Sequence, residues 1–297
     1  MRKKKEKIES IYKALKYMPE EIAIDTEAEK RKVFTSIRKR ENKVNQLKRF
    51  LKYAAIFILV CSMSITYYIY SPLSPEIISN HLAKTVIPNG NTGKVILPDG
   101  SSVWLNSGSK LIYTNFFKEN ERRVTLEGEG YFEVVKDKTK PFIVSTKKNM
   151  KIRVLGTSFN VKAYPEDNQI ETALITGKVQ LNIDNNTSEK NIDMIPGEKV
   201  IYKEKAHEIH LKKEENINDE SSWKEGKLIF KKESLKLITN ELSRTFNVDI
   251  IVDNEASKEI ITASFDKNTS IREIFQILKL VSDFKYEYTN NKWIITK

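Results

Sequence analysis

The spacing of hydrophobic and polar residues changes twice along the chain. Over roughly the first fifty residues, apolar residues recur three and four positions apart among charged ones, which predicts amphipathic helices. An uncharged apolar run follows. Beyond residue 92 the spacing becomes two, which predicts strands with one buried face. The pattern therefore predicts short helices, then one apolar helix, then a mainly β remainder.

The apolar run at 53–70 contains no charged residue. As a helix these residues would be about 27 Å long, close to the thickness of the hydrocarbon core of a bilayer. Tyrosines at both ends fit the two membrane interfaces. A buried core helix and a cleaved signal peptide are the alternatives, but a long segment precedes the run and bulky tyrosines end it. We therefore predict a transmembrane helix at 51–70.

The distribution of charge predicts the orientation of this helix. Residues 1–52 hold 17 Lys and Arg against 8 Asp and Glu, so +9 of the net charge of +11 precedes the span. Because positive residues stay on the cytoplasmic side, we expect a cytoplasmic N-terminus and a periplasmic C-terminus, with the chain in the inner membrane. The excess ends where the apolar run begins, which argues against a basic nucleic-acid-binding face. The single cysteine, Cys61, excludes an intrachain disulfide.

The basic segment at 1–50 is predicted to form two amphipathic helices, broken near Pro19. Two such short helices cannot bury much of a core, so their apolar stripes need a partner. Another copy of the chain, the membrane surface and a cytoplasmic protein are all compatible with the pattern. The residues of this candidate surface are Ile8, Ile11, Tyr12, Leu15, Phe34 and Ile37.

Short strands bounded by Gly, Pro, Asn and Asp follow one another over 93–203. This pattern predicts an all-β domain, either a sandwich or stacked β structure. The tripeptide at 98–100, Pro-Asp-Gly, predicts a hairpin turn. The preceding segment, 71–92, is rich in Pro and Gly and is predicted to be a linker.

A second folded unit is predicted at 223–297, after a charged linker at 204–222. Strand-like and helix-like runs alternate there, and Ser234 and Ser270 stand at the expected N-caps of two helices. Glu273 completes a capping box at the second. We expect a small α+β module with two βαβ-like halves.

No arrangement of residues predicts an enzyme. His207 and His210 would lie on opposite faces of a strand, which disfavours metal binding. Glu127, Glu129 and Glu133 share one face of a strand, and a solvated outer face explains all three. The three tryptophans lie in or beside apolar strands and are expected in the core. We therefore expect a recognition protein without cofactor or metal.

Six ordered motifs over 93–198 resemble the FecR family of transmembrane anti-sigma regulators. They read KVILPDGSSVWLNSGSKLIY, RRVTLEGEGYFEVVKD, KPFIVST, VLGTSFNVKAY, GKVQL and PGE. The part after Trp223 is similar to the C-terminal module that often follows, a relative of the short N-terminal domain of secretins and TonB-dependent transducers. Gly130 stands where family members commonly have alanine. The motif residues with expected structural roles are Leu97, Pro98, Asp99, Gly100, Gly128, Glu129, Phe132, Pro141, Phe142, Leu155, Gly156, Thr157, Phe159 and Gly177.

The resemblance implies a function in transcriptional signalling. The periplasmic part would sense the signalling domain of a TonB-dependent outer-membrane transporter, and the cytoplasmic segment would bind an extracytoplasmic-function (ECF) sigma factor. A periplasmic or intramembrane protease usually links the two events. The chain would then control uptake genes for iron chelates or glycans without binding nucleic acid. An envelope or secretion scaffold component and a membrane-tethered glycan-binding module are the rival readings.

Overall fold

The computed structural model describes residues 2–17, 58–67, 82–117, 120–147, 150–184 and 189–297. The chain divides into two units, Met1–Ile77 and Ile78–Lys297.

The first unit contains helix α1, Arg2–Lys16, and a helical stretch at 58–67. That stretch falls inside the predicted span, and the rest of the span lies outside the described residues. In the ranges given above, no helix combines the length and the apolar character needed to cross a bilayer. The second predicted N-terminal helix, with Phe34 and Ile37, also lies outside them.

Thirteen strands of the described chain form the β-domain. They are β1 Leu82–Val86, β2 Gly93–Ile96, β3 Ser102–Leu105, β4 Lys110–Thr114, β5 Arg122–Glu133, β6 Phe142–Thr146, β7 Met150–Val154, β8 Ser158–Ala163, β9 Gln169–Thr176, β10 Val179–Asp184, β11 Glu189–Met194, β12 Glu198–Lys203 and β13 Glu208–Lys213.

Strand β5 joins two half-sheets. Its first part pairs with β4 and, in parallel, with β6, in the order β1-β4-β5-β6-β7-β10-β11. Its second part pairs with β3 and β8, in the order β2-β3-β5-β8-β9-β12-β13. Gly128, with φ +107°, lies where the pairing changes. One apolar core draws on both halves, so the mainly β prediction is confirmed.

The alternating pattern of β5 explains this core. Val124, Leu126 and Phe132 are almost fully buried, and Phe132 stacks on Phe159 of β8 with ring centroids 5.0 Å apart. Phe142 of β6 meets the edge of the Phe132 ring at 6.3 Å. Burying each of these side chains contributes about 1.5–3 kcal/mol.

The C-terminal module has two sheets and two helices. Strands β14 and β16 pair antiparallel, while β18 pairs in parallel with β15 and antiparallel with β17. The elements are β14 Leu228–Ser234, α2 Leu235–Phe246, β15 Asp249–Val252, β16 Ile260–Phe265, α3 Ile271–Val281, β17 Lys285–Thr289 and β18 Lys292–Thr296. The two strands that flank each helix lie in different sheets, so neither half is a true βαβ unit.

The helix N-caps predicted for this module are present in the structure. The Ser234 hydroxyl accepts the Leu237 amide, and Ser270 and Glu273 form a complete capping box. Each such cap contributes about 1 kcal/mol.

Both segments predicted as linkers contain regular structure. Strand β1 lies within 71–92 and, among the described strands, pairs with β4. The Pro and Gly that follow β1 lie in the loop to β2. Strand β13 and a 3₁₀ helix, Ile217–Glu225, occupy 204–222 and the residues just after it. Strand β13 is a mostly exposed edge strand, which explains why it lacks an apolar alternation.

Candidate functional site

Helix α2 joins the C-terminal module to the β-domain through Arg244. Its guanidinium lies 2.5 Å from the Glu166 carboxylate and 3.2 Å from that of Asp167, both in the β8–β9 loop. The same group stacks on the Tyr164 ring, 3.6 Å from the centroid. Asn240, one turn earlier in α2, donates to Asp167 at 2.8 Å. This interface consists of ions, amides and an aromatic face rather than aliphatic side chains.

Two further contacts tie α2 to the β-domain. Lys162 of β8 forms an ion pair with Glu241. The Gly90 amide, in the β1–β2 loop, donates to the Arg244 carbonyl at 2.8 Å. Gly90 has φ +79°, which lets its backbone approach the end of the helix. The loop after the first strand therefore caps a helix of the other module.

The 3₁₀ helix leads to a fully buried carboxylate. The Trp223 indole donates to Asn160 at 3.2 Å, and Asn160 donates to Glu129 at 2.9 Å. Asn106 donates to the other Glu129 oxygen at 2.8 Å. Burial raises the pKa of Glu129 to about 7, although the nearby Lys162 ammonium opposes the shift. This carboxyl can therefore take up a proton close to neutral pH.

The burial of Glu129 corrects the expectation of a solvated outer face. Only 4% of this residue is exposed. Glu127 is half-buried and pairs with Lys110 and Lys147, whereas Glu133 is exposed. The outer face of β5 is thus exposed to solvent at some positions, but side chains that are distant in sequence cover Glu129.

An inter-module cleft of about 400 Å³ lies beside these contacts. On its floor, Lys199 lies 2.5 Å from Glu171 and 2.7 Å from Glu220. Burial alone would raise the pKa of Glu171, but Lys199 and Lys162 outweigh it and lower that pKa to about 2. Burial and the Glu171 charge raise the pKa of Glu233 to about 7.

The cleft is lined by many charged side chains. Across the described part of the chain, no group of three or more His, Cys, Asp and Glu side chains is placed to hold a metal ion. His207 lies in the β12–β13 turn and His210 on β13, where it is 3.2 Å from Glu208. The ion pairs and carboxyl groups that line the cleft can hold the two modules together, and their interactions can change when a carboxyl group takes up a proton.

Each module keeps a hydrophobic core of its own. The core of the β-domain and that of the C-terminal module are separate clusters. Trp293 lies in the second core, as expected, whereas Trp223 is buried at the interface and Trp104 is half-buried under Lys94 and Lys224. The polar contacts described above therefore connect two independently packed units.

The candidate partner surface of the first segment is partly described. Ile8, Ile11 and Tyr12 lie on α1 with 42%, 51% and 59% of their surfaces exposed. Leu15 belongs to the same helix. These positions follow the spacing of one helical stripe.

The motif residues lie in the core and in turns of the β-domain. Those that are buried are Leu97, Gly128, Glu129, Phe132, Phe142, Thr157 and Phe159. Those with positive φ are Gly100, Gly128, Gly156 and Gly177. Pro98 and Asp99 form the β2–β3 turn, Pro141 precedes β6, and Leu155 is exposed after β7. Asp99 also pairs with the buried Arg122 at 2.7 Å.

The two modules match two family models in the same order. The model described as FecR protein matches residues 84–180, and the model described as FecR, C-terminal matches residues 227–295. The chain belongs to the FecR family. Two crystal structures of a proposed anti-sigma factor from Parabacteroides distasonis are similar to this FecR chain, with 29% identity and a TM-score of 0.68. The match covers 73% of this chain and 99% of that one. Curated protein sequences give no match.

Proposed function

We propose that this FecR-family chain is an anti-sigma regulator. The observation that carries the proposal is the ordered match to both FecR models, together with the similarity to nearly the whole of a proposed anti-sigma factor. FecR is a family of regulators rather than of enzymes. The inter-module contacts, which are ionic and separable, suit a regulator that changes state.

The finer proposal is a relay across the inner membrane. One helix at 51–70 would anchor the chain with its N-terminus in the cytoplasm, as the apolar run and the charge of the first 52 residues suggest. The C-terminal module would receive the signalling domain of a TonB-dependent outer-membrane transporter. The N-terminal segment would bind an ECF sigma factor and so control nutrient uptake genes.

The inter-module interface supplies a route for the signal. A transporter domain that moves α2 would disturb the bond between Gly90 and the Arg244 carbonyl. Gly90 follows β1, which lies in the second half of the predicted linker, and β4 is the one strand among the described residues that pairs with β1. Loss of this contact would loosen β1 and expose the preceding segment to a protease.

Capture of the sigma factor is tested on the full chain with matched variants of α1. Ile11→Asp places a charge on the exposed apolar stripe, whereas Ser10→Asp places the same charge on the opposite side of the helix. In co-purification with an ECF sigma factor from the same organism that the wild-type chain captures, we expect Ile11→Asp to abolish capture and Ser10→Asp to preserve it. Equal capture by both variants would refute this surface.

A further inference from the structure

The register of the first half-sheet shows where the chain enters the β-domain. We call the end of the domain at which β1 begins the proximal end. Several other strands also begin or end there. The residue pairs between neighbouring strands, followed from β1 to β11, show that these strand ends are aligned. The pairs are Leu82 with Thr114, Tyr113 with Val124, Arg123 with Ile143, Ile143 with Arg153, Arg153 with Gln180, and Gln180 with Asp193. The turns beyond these residues form one surface.

Exposed apolar side chains are concentrated at this proximal end. Leu82 starts β1 and is 70% exposed, Phe116 follows β4 and is 68% exposed, and Ile195 follows β11 and is 61% exposed. Leu155 follows β7, and Ile96 ends β2 beside the turn at 97–100; both are exposed as well. Val135, 45% exposed, also lies at this end, where its carbonyl accepts from Arg122. In the rest of the described β-domain, the large exposed apolar residues are Val86 and Leu211.

Cations surround these apolar side chains. Lys136, Lys138, Arg153 and Lys178 are all exposed, and within the described residues none of them forms an ion pair. With Leu155 and Ile195 they line an open groove of about 740 Å³.

Most acidic groups of this end are engaged, but Glu133 is exposed. Asp99 pairs with Arg122 and Glu121 pairs with Arg123. Glu198 accepts the Ile195 amide. The Asp193 carboxylate accepts the Gln180 amide at 3.1 Å. Asp137 accepts the Thr139 hydroxyl and two backbone amides. The surface therefore presents apolar side chains and four cations that form no ion pair among the described residues, with hydrogen-bonded carboxylates and Glu133 beside them.

We propose that the proximal end of the β-domain rests on the surface of an anionic phospholipid membrane. Apolar side chains enter the boundary between headgroups and acyl chains, while lysine and arginine approach lipid phosphates. Leu155, Ile195 and Phe116 would enter the boundary region, and the four cations would approach the phosphates.

The position of the chain selects a membrane as the occupant. Eleven residues separate the end of the predicted span, Tyr70, from Leu82, and a chain of that length reaches at most about 40 Å. The β-domain is therefore tethered close to the bilayer by the end that carries the cations. This step rests on the membrane anchor of the proposed function.

The C-terminal module occupies the opposite end. Its contacts to Gly90, Glu166 and Asp167 involve the β1–β2 and β8–β9 loops. These loops follow the last residues of β1 and β8, whereas both strands begin at the proximal end. The proximal surface is thus left uncovered by this module. The module itself would point away from the bilayer, toward a partner in the envelope.

The test measures lysine acylation by mass spectrometry on the full chain in lipid nanodiscs. Lys136, Lys138 and Lys178 should react several-fold more slowly in discs of phosphatidylglycerol than in discs of phosphatidylcholine, and high salt should remove the difference. Lys267 and Lys285, exposed in the C-terminal module, should react equally in both.

Variants with equal charge changes complete the test. Each neutralised cation should weaken the membrane contact about fivefold, so Lys136→Gln with Lys178→Gln should restore the reactivity of Lys138. The pair Lys267→Gln with Lys285→Gln should not.

Three outcomes would overturn the proposal. Equal reactivity of Lys136, Lys138 and Lys178 in both lipids, in a chain that copurifies with the discs, would overturn it while leaving the membrane anchor intact. Protection of these lysines only after addition of an acidic protein would replace the membrane by that partner. A chain that fails to copurify with the discs would overturn the anchor and this contact together.

Discussion

Replacing Arg244 by Met should detach the C-terminal module without unfolding it. Methionine keeps an apolar stem over Tyr164 but removes the charge that meets Glu166 and Asp167. Asp167 is only 3% exposed, so its carboxylate would lose its guanidinium partner in a buried position. The side chain of Glu166 is 49% exposed and regains water instead.

The magnitude follows from this difference in burial. Removing one partner of a buried ion pair costs about 3–5 kcal/mol, and the exposure of Glu166 places Arg244→Met at the low end. About 3 kcal/mol corresponds to roughly a hundredfold change in the docking equilibrium. Each core lies outside the interface, so this cost should fall on docking alone.

Amide hydrogen exchange on the full chain measures docking directly. The Gly90 amide donates to the Arg244 carbonyl, so its exchange should accelerate by up to about a hundredfold in Arg244→Met. The amides of Ile152 and Leu242, one in each core, should exchange as in the wild type. Lys292→Met is the control, because it breaks an exposed pair with Asp249 that contributes about 0–1 kcal/mol.

A double variant separates charge from shape. Asp167→Asn removes the buried carboxylate charge, so adding it to Arg244→Met should recover part of the lost docking. Unchanged exchange at Gly90 in Arg244→Met would refute the reasoning. Equal acceleration at Gly90 and Leu242 would also refute it, because Arg244 would then stabilise the module itself.

Two other predictions concern β5 and the buried carboxylates. Gly128→Ala should cost about 3 kcal/mol or more in thermal unfolding, because φ is +107° and the new Cβ would lie 2.7 Å from the Ser109 Cα. Gly130→Ala should cost less, about 1 kcal/mol, because φ is not positive there and the nearest atom to the new Cβ is a Phe132 ring carbon at 3.0 Å; similar losses for both would contradict this account. Burial raises the pKa of Glu129 and Glu233 from 4.5 to about 7, so the folded chain binds more protons than the unfolded chain between these values. Their stabilising contribution is complete below pH 4.5 and is lost as the pH rises through 7. Urea unfolding should therefore show a free energy that falls across this range, with a smaller fall in Glu129→Gln or Glu233→Gln; an identical slope in both variants would count against it.

Local pattern was enough to predict the β5 core and the helix caps. The alternation of apolar and polar residues at 124–133 puts Val124, Leu126 and Phe132 on one face of a strand, and that face is buried. Ser234 and Ser270 cap helices because their hydroxyls meet backbone amides a few residues away. Strand alternation and helix capping both depend on residues that are close together in the sequence, so they can be recognised without knowing the fold.

Burial of Glu129 could not be predicted in the same way. Alternation assigns a residue to one face of a strand, but it does not state what covers that face. Asn160 and Trp223 cover Glu129 from later segments of the chain. The pairing of Arg244 with Asp167 is likewise distant in sequence, and an arginine on a helix is ordinary when only local sequence is considered.

The chemistry of the interface determines what a partner must do to separate the modules. An apolar interface would merge the two cores, and its opening would expose that surface to water at about 25 cal/mol for each Å². Ion pairs such as Arg244 with Asp167 and Lys162 with Glu241 behave differently, because their charges regain hydration when they part. A partner that binds α2 through its own carboxylates or cations can replace these contacts one by one. The Gly90 amide would then lose its acceptor at Arg244, and the effect of binding would reach β1 without either core unfolding.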